Sequence, residues 1–170
     1  MIANRKCYYF TEGQCEEKLV KALKLKPALL KPGKVKLFNV VQNILPVSIL
    51  MSIEPGSVAV LVFDTDKDET DHLKQNIKLL KKRCTGVEVL TILQVLNFED
   101  EVERATDVNC AENLTRSKTV EDFKSSVNRM KEIDLRRALE RNKLSMDTLW
   151  TKEPPKSFHF LSQDSGKIKV

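Results

Sequence analysis

Residues 57–71 of the chain read SVAVLVFDTDKDETD, an unbroken apolar run that ends abruptly in acidic residues. An apolar run such as 58–63 is typical of a strand buried on both faces inside a parallel sheet. Asp64 and Asp66 follow the run directly, and an amphipathic helix is expected over 69–82. The stretch therefore predicts a central strand that delivers two carboxylates to one edge of a sheet, where their repulsion calls for a compensating positive charge.

Strand and helix patterns alternate on both sides of this stretch. Further strands are predicted over 6–10, 34–41 and 87–95, helices over 16–25, 42–53, 99–105, 120–131 and 135–142, and a last short strand over 158–161. This alternation predicts an α/β fold, with a mostly parallel four-stranded sheet, helices on both faces and a Rossmann-like plan. We expect a single domain, 1–170, with its core in about 6–105, a helical extension in about 106–150 and a partly frayed tail in 151–170.

Composition narrows the class of protein. The chain has 170 residues, of which 41% are hydrophobic and 31% charged, as in a soluble globular domain. No apolar stretch approaches the roughly 18 residues that cross a bilayer, and the first residues contain no apolar signal-peptide core. A cytoplasmic protein without a membrane partner is therefore expected. The four cysteines lack C-x-x-C spacing, which argues against a zinc site.

Charge is distributed unevenly around the formal net value of +5. The segment 18–36 is rich in lysine and contains no acid, whereas 97–112 is strongly acidic. A basic surface around an acidic centre suits a polyanion such as DNA or RNA. The candidate phosphate-binding residues are Lys18, Lys21, Lys31, Lys34 and Lys36. The alternative interpretation is that these lysines form only the solvated face of a helix and a loop.

Acidic residues also follow two other predicted strands, because Glu12 comes after the first and Glu99 after the fourth. Since the carboxyl ends of parallel strands meet at one edge, these two acids and the aspartate pair are expected to converge there. Carboxylate oxygens are the ligands that Mg²⁺ and Mn²⁺ prefer. Each acid could instead cap a helix or stabilise its first turn.

The pattern Glu12-Gly13 at a strand end, with Asp64-x-Asp66 after a later apolar strand, resembles the two signature motifs of the TOPRIM domain, over roughly residues 6–105. The acidic segment that begins at Asn97 is similar to one in the OLD-family nucleases. The resemblance implies a site for two Mg²⁺ or Mn²⁺ ions with the ligands Glu12, Glu16, Asp64, Asp66 and Glu99. It also implies a distal lysine that assists catalysis, for which Lys118 is the first candidate and Lys124 the second.

The function that these observations favour is a metal-dependent phosphodiesterase that cleaves DNA or RNA, in a setting such as bacterial defence. Glu12, Asp64, Asp66 and Lys118 form the predicted catalytic set. Two cations would activate a water and stabilise the leaving oxygen. Full-length OLD proteins also carry an ATPase domain, which is not expected within these 170 residues, so an ATPase or another protein is a candidate partner.

Two alternatives remain open at this point. A stand-alone domain can keep the TOPRIM scaffold while serving only to bind nucleic acid or a protein partner, because fold does not fix function. A haloacid-dehalogenase-like phosphatase also places an Asp-x-Asp after an apolar strand. In such an enzyme the residue after Lys67 would be Thr or Val, whereas here it is Asp68, and two strands precede the motif.

Overall fold

The computed structural model of this chain describes residues 5–170, and these contain a four-stranded sheet. The strands are β1 (Cys7–Thr11), β2 (Gly33–Leu37), β3 (Val58–Asp64) and β4 (Glu88–Gln94). They run in the order β2-β1-β3-β4, and every pairing is parallel. The predicted α/β fold with a parallel sheet is confirmed, and the apolar run 58–63 lies inside the sheet with a neighbour on each side.

Helices cover both faces of the sheet. They are α1 (Gln14–Lys24), α2 (Val47–Met51), α3 (Asp71–Arg83), α4 (Phe98–Ala105), α5 (Val120–Arg129) and α6 (Glu132–Arg141). One hydrophobic cluster joins α1, α4, α5 and α6 to the sheet, and a second joins α2 and α3 to the opposite face. Alternate residues of β3 enter the two clusters, which is why its apolar run is continuous. Among residues 5–170, no helix is long and apolar enough to cross a membrane.

The segments beyond α4 contribute to the first cluster. Phe98 of α4 stacks on Phe123 of α5, with 5.8 Å between ring centroids. Trp150 and Ile168 are fully buried in the same cluster. The end of the chain is not frayed as predicted, because Asp164 accepts a hydrogen bond of 3.0 Å from the backbone N–H of Thr91 and so holds the tail along the outer edge of β4.

Two predicted elements are shorter than the sequence pattern indicates. β2 ends at Leu37 instead of extending to residue 41, because the Asn39 side chain accepts hydrogen bonds from the backbone N–H groups of Val41 and Gln42 and turns the chain. The helix expected over 42–53 is reduced to α2. The buried side chain of Asn76 accepts a hydrogen bond of 2.7 Å from the Leu45 N–H and holds the preceding residues as a loop.

The last predicted strand, 158–161, is wrong. The chain instead forms one 3-10 turn, Lys156–Phe158. Phe158 is buried and lies 6.0 Å from the ring of Phe63, between centroids. A hydrogen bond of 2.7 Å from Ser157 to Asp68 ties the same turn to the loop that follows β3. The aromatic residue therefore anchors a loop against the sheet instead of adding a strand.

Candidate functional site

A cavity of about 300 Å³ opens at the carboxyl edge of the sheet, where β1 and β3 end. Its lining includes Glu12, Cys15, Glu16, Asp64, Lys124 and Asn128. Three of the acids that the sequence predicts to converge therefore do so, although they come from two strand ends and one helix. Such a place, at the carboxyl ends of parallel strands, is where open α/β sheets collect ligands.

The backbone fixes Glu12 and Asp64 beside each other. β1 and β3 are paired in register up to Thr11 and Val62, and the Glu12 N–H donates to the Val62 carbonyl at 3.1 Å. The Glu12 side chain then reaches across the strand ends, where Oε2 accepts a hydrogen bond of 2.8 Å from the Asp64 N–H. Asn39 Nδ2 donates to the other oxygen, Oε1, at 3.3 Å. The Glu12 carboxylate is therefore held in one orientation over the end of β3.

Glu16 reaches the same cavity from the first turn of α1. Gly13 precedes the helix as its N-cap residue, and Glu16 is only 5% exposed. A Cβ atom added to Gly13 would lie 2.6 Å from Glu16 Oε2, which is closer than real contacts allow. A side chain at position 13 would therefore have to displace the Glu16 carboxylate, whereas the Gly13 backbone has ordinary extended angles.

Gln94, which the sequence analysis does not single out, connects two of these acids. It is the last residue of β4, it is fully buried, and it is the register partner of Asp64. With the amide nitrogen turned toward the acids, it donates to Asp64 Oδ1 at 2.9 Å and to Glu16 Oε1 at 3.2 Å. Its position opposite Asp64 in the sheet is the signal that could have identified it.

Burial and mutual repulsion perturb the acids strongly. Burial, followed by the charges of Glu16 and Glu12, raises the pKa of Asp64 to about 9. Burial also raises the pKa of Glu16 to about 7, and the charge of Glu12 adds to this. The pKa of Glu12 is raised, mainly by burial. Without a cation, Asp64 is therefore protonated near neutral pH and Glu16 is protonated in part, whereas a bound cation would favour the charged forms of the acids.

Lys124 of α5 provides the cation that lines the cavity. Its Nζ lies 2.7 Å from Oε1 of Glu99, whose side chain is only 12% exposed, and Oε2 of Glu99 is buried without a hydrogen bond from residues 5–170. Burial alone would lower the pKa of Lys124, but the hydrogen bond and charge of Glu99 and the charge of Asp64 outweigh it, so the pKa is raised. Glu99 therefore lies behind Lys124, next to the cavity but outside its lining.

Two members of the predicted catalytic set lie outside the cavity lining. The backbone of Thr65 extends the pairing with β4 by one residue, because its N–H donates to the carbonyls of Gln94 and Leu96 at 3.1 and 2.9 Å. Asp66 is exposed and does not line the cavity, although its charge contributes to the raised pKa values of Glu12 and Asp64. Lys118 is also exposed and does not line the cavity, whereas Lys124, the second candidate, does.

The candidate phosphate-binding lysines are spread over the surface, and several are engaged within the chain. Lys18 pairs with Glu132 at 3.3 Å, and Lys21 pairs with Glu17 at 2.7 Å. Lys36 donates to the Ser52 hydroxyl at 2.6 Å. Lys34 lies 5.8 Å from the centre of the Tyr8 ring. Within residues 5–170, Lys31 and Lys34 form no ion pair.

Cys15 also lines the cavity, but its chemistry is that of a structural thiol. Its Sγ donates to Asn128 Oδ1 at 3.3 Å. Burial, with the nearby charge of Glu16, raises its pKa to about 12, so the group stays protonated. A nucleophilic cysteine requires the thiolate, and this environment disfavours it. The hydrogen bond instead fixes Asn128, a second lining residue that the sequence analysis does not single out.

The donor chemistry fits a hard divalent cation. Glu12, Glu16 and Asp64 offer oxygen ligands, which suit Mg²⁺ and Mn²⁺. Their raised pKa values indicate that the surroundings disfavour the charged carboxylates, which a bound divalent cation would favour. Over residues 5–170, no group of three or more His, Cys, Asp or Glu side chains already has metal-site geometry. The acids are instead hydrogen-bonded to Asn39, Gln94 and the backbone.

Comparison of the chain with protein-family models, with curated proteins and with solved structures found no match. Support for a function therefore comes from the geometry of this site and from the resemblance of its motifs to those of the TOPRIM domain.

Proposed function

We propose that the protein is a phosphodiesterase that uses Mg²⁺ or Mn²⁺ to cleave nucleic acid. One observation carries the proposal. Glu12, Glu16 and Asp64, acids that motif spacing alone selects, line a single cavity with a lysine among them. Structural acids are normally separated or paired with cations, whereas this cluster is largely buried and raises its own pKa values. The resemblance to the TOPRIM domain and to OLD-family nucleases supports the same chemistry.

In this proposal the residues that line the cavity have different roles. Glu12, Glu16 and Asp64 hold the cations, which supply an activated water and a counter-charge for the leaving oxygen when bound. The predicted ligands Asp66 and Glu99 lie at the margin, and each would join the set only after a side-chain movement. Asn39 and Gln94 orient the acids and are positioning residues.

Lys124 takes the role for which Lys118 is the first candidate by sequence. Its ammonium lines the cavity, where it would offset the negative charge that builds up on a phosphate during cleavage. Lys118 has no such position. Asn128, one helical turn beyond Lys124, offers an amide to the same side of the cavity.

The setting of the reaction is also part of the proposal. We place it in the cytoplasm, because Cys7, Cys15, Cys84 and Cys110 are all free thiols. DNA or RNA is the substrate class. By its resemblance to OLD-family proteins, the chain would work with an ATPase or another protein partner, in a function such as bacterial defence.

The test is a cleavage assay on single-stranded DNA, duplex DNA and RNA, with Mg²⁺, with Mn²⁺ and with EDTA. We expect cleavage that needs the metal and that Asp64→Asn abolishes. Asp71→Asn is the matched control, since Asp71 is exposed at the start of α3 and away from the cavity lining. No cleavage by the folded wild type with either metal, or equal loss in both variants, would contradict the proposal.

A non-catalytic binding module is the second candidate function. It is favoured by the hydrogen bonds that already satisfy Glu12, Glu16 and Asp64 without a metal. Such a module would bind nucleic acid equally well in EDTA and after Asp64→Asn. A haloacid-dehalogenase-like phosphatase has less support, because its acid pair would need both aspartates at one cavity, and Asp66 does not line it.

A further inference from the structure

The outer face of α3 carries a concentration of positive charge far larger than that of any other helix. Its exposed cations are Lys74, Lys78, Lys81, Lys82 and Arg83. The four lysines have helical spacings of i, i+4, i+7 and i+8, which align them on one side of the helix. At a rise of about 1.5 Å per residue, this basic stripe, residues 74–83, extends over about 12–14 Å.

No cation of the basic stripe forms an ion pair within residues 5–170. Lysines elsewhere commonly do, for example Lys6 with Glu54 and Lys143 with Asp107. The nearest acids in sequence, Asp68, Glu69 and Asp71, stand before or at the start of α3. The helix α2, which packs beside α3, contains no acid. The stripe is therefore an uncompensated positive surface.

Helix stability explains only part of this arrangement. Cations in the last turn of a helix interact favourably with its dipole, which accounts for Lys81, Lys82 and Arg83. Lys74 and Lys78 lie in earlier turns, where that effect has faded. Repulsion among neighbouring lysines also opposes folding. The full stripe therefore points to a negatively charged partner.

We propose that the basic stripe of α3 binds the phosphate backbone of a nucleic acid. Its length matches about four successive phosphates at the 3.4 Å spacing of one duplex strand. Phe160, which is 45% exposed, lies at the Lys74 end of the stripe, with Lys74 Nζ 4.7 Å from its ring centroid. An exposed aromatic beside cations is suited to stacking on an unpaired base.

The other large anionic surfaces fit the stripe less well. A helix that binds lipid inserts an apolar face, but the apolar residues Leu73 and Leu80 of α3 are buried against the sheet. A protein interface is usually centred on apolar anchors, and no large hydrophobic side chain of α3 is exposed. Nucleic acid is therefore the occupant that the charge and the burial favour.

This inference rests on the proposed function only for the choice of nucleic acid as the polyanion, and its test does not involve cleavage. Fluorescence anisotropy in EDTA would compare wild type with Lys78→Gln/Lys82→Gln on labelled single-stranded DNA, duplex DNA and RNA. The matched control is Lys131→Gln/Lys152→Gln, which removes the same charge from two exposed lysines outside α3 that form no ion pair within residues 5–170. Circular dichroism and thermal melting would establish that all three proteins are folded.

We expect the α3 variant to bind nucleic acid about tenfold more weakly than wild type at low salt. The slope of log affinity against log salt concentration should also fall in magnitude by about 1.4–1.8, because two phosphate contacts are lost. The control should match wild type. Equal weakening in both variants, or no effect of the α3 change, would overturn the inference while leaving the cleavage test untouched. Binding by wild type to phosphatidylserine vesicles or polyglutamate, but not to nucleic acid, would overturn it in favour of a lipid or protein partner.

Discussion

Charged side chains are arranged in opposite ways at the two ends of the parallel sheet. At the amino end, Arg5 pairs with Glu88 at 2.8 Å and also donates to the carbonyls of Ser57 and Gly86, so its charge and its donors are matched. At the carboxyl end, the partly to fully buried acids Glu12, Glu16 and Asp64 share a cavity with Lys124, whose charge is already paired with Glu99. The first arrangement joins strand ends and stabilises the fold. The second places several acids close together, which is expected at a site that binds a positive ligand.

Of the substitutions that test this contrast, removing the cation at the carboxyl end should have the largest effect, and the quantity that changes is kcat. Lys124→Ala should lower kcat for metal-dependent cleavage by about 10²–10³-fold, in the range reported for losing one electrostatic stabiliser. Lys118→Ala, at an exposed position outside the cavity, should change kcat less than about threefold. Steady-state kinetics at saturating metal would show the difference. The reverse ranking would return the catalytic role to Lys118.

A substitution that crowds the Glu16 carboxylate at the carboxyl end should have the second-largest effect, which is on metal affinity. Gly13→Ala places a methyl group against Glu16 Oε2 and should displace that carboxylate, which would weaken Mn²⁺ binding by about 10–100-fold, as for the loss of an orienting contact. Gly166→Ala is the control, because a Cβ there meets no atom within 4 Å. Calorimetric titration would measure both. Unchanged Mn²⁺ affinity in Gly13→Ala would remove Glu16 from the ligand set.

The pH dependence of stability should also separate the two ends. Folding raises the pKa of Asp64 from 3.8 to about 9 and that of Glu16 from 4.5 to about 7. Their protonated forms are therefore favoured by folding, so this contribution is fully present below about pH 4 and is lost as pH rises through 7 and 9. Melting temperature in EDTA should fall across this range, and Asp64→Asn should flatten the fall.

Adding Mn²⁺ should oppose that fall, because a cation favours the charged acids. Melting curves at pH 6, 7.5 and 9, with Mn²⁺ and with EDTA, would show a gap that widens with pH. A gap that stays constant with pH, or that is the same size in Asp64→Asn, would mean that the metal binds elsewhere.

The smallest effect is expected at the amino end. Arg5→Ala should lower the free energy of unfolding by about 1–2 kcal/mol, because Glu88, the part-buried Ser57 carbonyl and the exposed Gly86 carbonyl lose their partner. Chemical denaturation would give the value, and Mn²⁺ affinity should not change. A large loss of metal affinity in this variant would show that the two ends are not independent.

The sequence predicts the sheet and most of the acid cluster for one physical reason. A continuous apolar strand must be buried on both faces, and parallel strands bring their carboxyl ends to one edge, so Glu12 and Asp64 are predicted at the same edge of the sheet. That they are neighbours depends on the pairing of β1 with β3. Glu16 is predicted by the resemblance to the TOPRIM and OLD-family motifs.

The remaining features depend on tertiary packing that local patterns do not encode. Gln94 faces Asp64 only because of the register between β3 and β4. Lys124 reaches the cavity, and Lys118 does not, because of how α5 packs against α1 through their shared hydrophobic cluster. Asp66 belongs to the loop that follows β3, where it is exposed and outside the cavity lining. Similarly, the loop before α2 depends on the buried Asn76, which is distant in sequence.

Calorimetric titration of Mn²⁺ into the wild type and into Asp64→Asn, both folded and at pH 8, is the most direct test of a metal site at the carboxyl edge of the sheet. We expect saturable binding to the wild type, with release of protons from the acids, and loss of that binding in the variant. A folded wild type that binds no Mn²⁺ or Mg²⁺, or a variant that binds them as tightly, would contradict the claim that the carboxyl edge is a metal site.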